Sequence, residues 1–149
     1  FGAHFAEVEV DMETGEVYVV KLVGAFDVGR AINPANVEGQ IVGGEAMGIG
    51  YALTEGLIID NGKIMNNNFT DYRILRACDV PQIDAIIVES DEPTGPFGAK
   101  GIGEATMVGT AAAIANAIYD AIGVRMKELC ITQEKILEAI HRGAKASGL

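Results

Sequence analysis

Five glycines, at positions 39, 43, 44, 48 and 50, interrupt a stretch whose apolar residues keep helical spacing. In "PANVEGQIVGGEAMGIGYALTEG", beginning at Pro34, the residues Val37, Ile41, Gly44, Met47 or Gly48, and Tyr51 recur near a helical period. Pro34 suits the first turn, where its missing N–H is no loss. Each interior glycine costs about 1 kcal/mol relative to alanine. A helix bearing five of them holds only where another backbone or a ligand crowds the face they line. That requirement constrains the fold more than any other feature.

The flanking segments supply the rest of an α+β layer. "HFAEVEVDMETGEVYVVKLVGAFDVG" reads as a β-hairpin, with Phe5, Val8 and Val10 alternating with polar residues. Glu13-Thr14-Gly15 makes its turn, and Val17 to Phe26 forms the return strand. Asn61-Gly62 predicts a second, type I′ hairpin. An irregular polar stretch follows, then a strand over 83–90. A loop over 91–104 carries Pro93, Pro96 and four glycines. An alanine-rich helix is expected over 105–122, apolar on most sides and buried. Thr132 caps a final helix, "QEKILEAIHR", and 141–149 is expected to fray as a tail. The expectation is a single domain over 1–149, with a mixed or antiparallel β-sheet, β-hairpins and about three helices packed on it.

Charge and cysteine content exclude several functions. The chain has 149 residues with 21 acids against 11 bases, a formal net charge of −10. No basic surface is available for nucleic acid or for an anionic membrane. Cys78 and Cys130 lie far apart without a CxxC, so they hold neither an iron–sulfur cluster nor a structural zinc. Each is expected to be a buried free thiol in a reducing, cytoplasmic compartment. No apolar run is read as reaching the roughly 18–20 residues of a membrane span. The first residues lack both an initiator methionine and a signal peptide, as if the chain were cut from something longer or processed.

Two positions stand out for chemistry. Glu104 closes the glycine loop just ahead of the helix expected at Ala105. Amide dipoles there favour an anion, and an ionised carboxylate beside a site is a ready general base. The alternative is a first-turn acid after a plain tight turn. Gln40 lies among the helix glycines, where its amide could bind a polar ligand; the alternative is a solvent-facing helix residue. Asp27 and Arg30 are expected to pair and tie down their loop. His4 and His141 have no ligand partner at useful spacing, so no metal site from side chains is expected. "GAKGIGEA" is not a phosphate loop of the Walker type, because Lys100 is followed by Gly101. Nor does it complete a dinucleotide fingerprint, and no GxSxG elbow is present.

Three long stretches, in order, carry a resemblance. They are "FDVGRAINPANVEGQIVGGEAMGIGYALTEG", "NGKIMNNNFTDYRILRACDVPQI" and "GPFGAKGIGEA". Together they resemble the C-terminal portion of the molybdopterin-binding subunit of the xanthine dehydrogenase and aldehyde oxidase family. The resemblance runs from about Phe1 to about Ile140. It implies a molybdenum–pterin cofactor, with or without an attached nucleotide, and hydroxylation of an N-heterocycle or an aldehyde carbon with oxygen from water. It implies that Glu104 is the base that deprotonates the metal's hydroxyl, and that Gln40 hydrogen-bonds the cofactor near the metal. Lys100, Gly101, Ile102 and Gly103 would touch the pterin and the metal ligands. The metal would need no protein ligand.

The resemblance also implies what this chain lacks. A complete molybdenum subunit is several times longer, so the remaining molybdopterin-binding lobe is an expected partner. Iron–sulfur clusters and FAD are expected only on partner chains or domains. The chain alone would be inactive, either an excised domain or a small subunit of a split enzyme. Its glycine-lined helix and the loop 95–104 would then be exposed, and a homodimer through that face is one expected outcome. The competing reading is a non-enzymatic acidic α+β interaction domain whose glycine-rich helix packs on a partner.

Overall fold

The computed structural model describes residues 1–146. Strands β1 (Gly2–Val10) and β2 (Val17–Asp27) form the expected antiparallel hairpin, with Val10 opposite Val17 and a register irregularity between Glu7 and Val8. Gly15 takes a φ of +74°, and the Asp11 carboxylate accepts the amides of Glu13 and Thr14 at 2.8 and 3.0 Å. The Thr14 and Glu13 N–H groups together hold the Asp11 carboxyl below its ordinary range.

Helix α1 (Pro34–Leu53) follows β2. Asn33 caps it, its side-chain oxygen accepting the Asn36 amide at 3.1 Å. A small hairpin, β3 (Ile59–Asp60) and β4 (Lys63–Ile64), turns through Asn61 and Gly62, both at positive φ as a type I′ turn requires. Strand β5 (Gln82–Val88) returns parallel to β2, so the sheet order is β1-β2-β5. Helices α2 (Ala105–Val108), α3 (Thr110–Ile122) and α4 (Gln133–Ala146) complete the fold. The expected mixed sheet carrying helices is therefore present.

Two apolar clusters hold the layers together. Leu22 of β2, Ile49 of α1, Ile114 and Ile118 of α3, and Ile131 and Ile136 at α4 form the larger one. Phe26, Val28, Val37 and Ile41 form the other. Each fully buried side chain of this size contributes about 1.5–3 kcal/mol. On α1, Val37, Ile41, Gly44 and Gly48 face inward, whereas Met47 and Tyr51 are exposed. The helix crowding demanded by the glycines is internal at three of them, Gly44, Gly48 and Gly50, where a Cβ on the last would lie 2.2 Å from Glu55 Oε1. A Cβ on Gly44 would lie 2.0 Å from Thr106 Oγ1, and one on Gly48 would lie 2.4 Å from Thr110 Cβ.

Several expectations are corrected. The helix expected over 105–122 is two helices that meet at Gly109, which keeps right-handed helical dihedrals (φ −94°, ψ −14°); only glycine fits there, because a Cβ would lie 2.2 Å from His4 Cδ2. It is also buried on one face only, through Thr110, Ala111, Ile114 and Ile118, since sheet and α1 cover a single side. The stretch Ala105–Ile122 has the length and mean hydropathy, 1.2 over 18 residues, that a membrane span needs. Its break at Gly109 and its fully buried isoleucines make it a core element here. Cys78 is exposed on a short 3-10 turn rather than buried, and Cys130 is half-buried; both are free thiols. Helix α4 runs to Ala146, past its expected end at Arg142, and the last three positions of the expected tail lie outside the described residues.

Candidate functional site

The loops that follow β2 and β5 are laced together. The Lys100 amide donates to Val28 O and the Arg30 amide to Gly98 O, both at 2.8 Å, while the Ser90 amide donates to Gly29 O at 3.0 Å. Gly29 must be glycine: its φ is +63°, and a Cβ would lie 2.3 Å from Gly98 O. Asp27, the last residue of β2, anchors the assembly from beneath. Its carboxylate accepts Lys100 Nζ at 2.6 Å, Ser90 Oγ at 2.7 Å and the Gly29 amide at 3.0 Å. The Lys100 ammonium, helped by the Gly29 N–H and the Ser90 hydroxyl, holds the Asp27 carboxyl well below the usual carboxylate range. Asp27 therefore pairs with Lys100 and not with Arg30, whose side chain is exposed. Sequence proximity suggested Arg30, but Lys100 enters from the other loop across the sheet end.

That anchoring leads into the candidate site. The Gln40 amide donates from Nε2 to Gly103 O at 3.1 Å, joining α1 to the glycine loop. A cleft of about 410 Å³ opens there, lined by Val28, Asn36, Gln40, Lys100, Ile102 and Gly103 among others. Four of the predicted site residues thus share one cavity. Gly101 and Glu104 are not among its lining residues, although each adjoins one that is. Both are exposed. The Glu104 side chain makes no capping bond to α2, so its carboxylate is not consumed by the helix it precedes. Because α2 is a single turn, the dipole behind Glu104 is that of one turn and not of an 18-residue helix.

The glycines here split by environment. Gly101 and Gly103 have negative φ, and a Cβ on either would meet nothing within 4 Å. The same openness holds for Gly39 and Gly43, which flank Gln40 on α1. Among the described residues, nothing demands glycine at these four positions.

Sequence reasoning missed a buried polar cluster. Glu45 on α1 is fully buried; it accepts from His4 Nδ1 at 2.9 Å and from Thr110 Oγ1 at 2.8 Å. The signal was a charged residue on the inward face of α1, between Gly44 and Gly48. It also missed Asn66, 4% exposed, which donates to Gly56 O at 2.6 Å and accepts the Ile58 amide at 2.9 Å. A larger cavity, about 1170 Å³, lies between β2, the 69–81 segment and the start of α4. It contains none of the predicted site residues.

A family model described as a molybdopterin cofactor-binding domain matches residues 1–81. The chain belongs to this family. Gln40 lies inside the matched residues, and the 100–104 loop lies beyond them. This molybdopterin cofactor-binding domain is 37% identical over 143 residues to the aldehyde oxidoreductase molybdenum-binding subunit PaoC of Escherichia coli (strain K12), covering 94% of this chain and 20% of that one. It is 38% identical over 143 residues to the putative xanthine dehydrogenase molybdenum-binding subunit XdhA of the same strain, covering 95% and 19%. Quinoline 2-oxidoreductase from Pseudomonas putida 86 shares its fold with a TM-score of 0.89 at 38% identity, over 94% of this chain and 18% of that one. The chain thus spans about one fifth of the length of these relatives.

Proposed function

We propose that this chain is the part of a molybdenum hydroxylase that supplies the general base and one wall of the molybdopterin site, and that the assembled enzyme hydroxylates an N-heterocycle or aldehyde carbon with water-derived oxygen. The observation that carries the reading is the Gln40–Gly103 bond, which gathers α1 and the Lys100–Gly103 loop around one cleft. The bound molybdenum–pterin group supplies the oxygen-transfer and two-electron redox chemistry. Gln40 spends one N–H on Gly103 and keeps a second N–H and its carbonyl oxygen for a polar group of the cofactor. Lys100 serves the site through its backbone, since its ammonium is held by Asp27. Gly101, Ile102 and Gly103 present backbone without obstruction. Glu104, exposed and uncommitted, takes up a proton at its carboxylate from the water-derived hydroxyl.

The remaining molybdopterin-binding lobe closes the cleft, and iron–sulfur and FAD partners carry the electrons away; the chain alone is inactive. The two free cysteines suit a reducing cytoplasm. The competing interaction-domain reading is left with Gly39 and Gly43 as the open part of the helix, because Gly44 and Gly48 are filled by the chain's own Thr106 and Thr110. Replacing Gly103 with valine in the assembled enzyme tests the reading. Molybdenum and pterin content should fall while the fold persists. Full content with valine in place would contradict it.

A further inference from the structure

The buried cluster His4–Glu45–Thr110 lies outside the cleft, yet it sits against the short helix that Glu104 begins. Glu45 Oε1 accepts from His4 Nδ1 of β1, and Oε2 accepts from Thr110 Oγ1 at the start of α3. The same hydroxyl lies 3.4 Å from His4 Nδ1. A carboxylate wholly removed from water is strongly unfavourable unless both oxygens are bonded. Here both are, by partners from two further elements.

The position of this cluster gives it a task. The His4 ring fills the space beside Gly109, where α2 ends and α3 begins. The helix face of α1 holds α2 and α3 from one side, through Gly44 against Thr106 and Gly48 against Thr110. At the other end of α2, Thr106 Oγ1 donates to Gly103 O at 3.0 Å, and the same carbonyl accepts the Gln40 amide. Glu104 lies between these two fixed ends, and its own side chain makes no capping bond to α2 that would orient it. Its direction is set by the turn that carries it.

We propose that Glu45 and Thr110 are positioning residues for Glu104: the buried cluster fixes the break at Gly109, hence the pose of α2, hence the reach of the Glu104 carboxylate. The inference rests on the reading of Glu104 as the base. Its test uses the assembled molybdenum enzyme that contains this chain. Thr110→Val removes the hydroxyl and keeps the shape. It should lower kcat at least 10-fold with KM and molybdenum content unchanged, and Thr110→Ser should restore the rate. Amide hydrogen exchange in the 149-residue chain gives a readout independent of activity: Thr110→Val should speed exchange at Met107, whose amide donates to Glu104 O at 3.0 Å. If Thr110→Val does not fold, Glu45→Gln, which keeps size and one accepting oxygen, takes its place with the same expectations.

The double variant separates the two claims. If Glu45 and Thr110 act through Glu104, Thr110→Val should cost little further rate in a Glu104→Gln background. Independent, multiplying losses would overturn the positioning role and leave the base intact. Full turnover by Glu104→Gln alone would remove the base assignment itself. An unchanged kcat in Thr110→Val, or no rescue by serine, would equally overturn the proposal.

Discussion

Gln40 and Gly103, 63 residues apart in sequence, are joined by a 3.1 Å hydrogen bond from the side-chain amide to the backbone carbonyl. The bond fixes the distance between the first helix and the residue before Glu104, and it sits at the rim of the cleft. Replacing Gln40 with leucine should change the stability of the chain by no more than about 1 kcal/mol, the worth of one exposed hydrogen bond. Cofactor retention in the assembled enzyme should weaken about 10- to 100-fold, the scale seen when a supporting partner of a metal site is lost. Molybdenum analysis after dialysis reads the effect.

The glycines divide into two classes that melt differently. At Gly101 the φ is ordinary and the space is open, so Gly101→Ala should hold or raise stability by about 0.4–1 kcal/mol. At Gly48 a Cβ would collide with Thr110, and Gly48→Ala should cost about 1–3 kcal/mol. Urea unfolding of the chain compares them directly. In the assembled enzyme the harmless change at Gly101 should lower molybdenum content.

Asp27 makes the loop anchor sensitive to acid. Lys100, Gly29 and Ser90 depress its folded pKa below the unfolded value of about 3.9. Stability from this group is therefore complete above about pH 4 and is lost as the pH falls through the folded pKa. Asp27→Asn should lower the urea midpoint at pH 7 and flatten its decline below pH 4. Lys100→Met should weaken the midpoint at pH 7 as well, whereas Arg30→Ala, at an exposed side chain with no ion pair among the described residues, should leave it unchanged.

Local patterns in the sequence specified the two hairpins, the α1 start at Asn33-Pro34 and the position of Glu104, because turn chemistry and caps act over a few residues. What they did not specify were partners distant along the chain. Asp27 reached past nearby Arg30 to Lys100, because β2 and β5 run parallel and bring the two loops together. The need for glycine at Gly109 was invisible because the ring that crowds it, His4, lies more than 100 positions earlier in the chain. Glu45 was passed over for the same reason: a charge on an inward helix face announces a partner without naming it. Gln40 and the 100–103 loop were legible through resemblance, whereas their meeting through one hydrogen bond depends on how α1 and the loop fold together.

As the proposed general base, Glu104 accepts the proton that starts the reaction. Single-turnover reduction of the assembled enzyme by saturating substrate measures that step apart from electron transfer to partners. Glu104→Gln should slow it by about 10²- to 10⁴-fold, the usual contribution of a general base, with molybdenum and pterin content unchanged. A rate within twofold of the wild type at full cofactor loading would contradict the account.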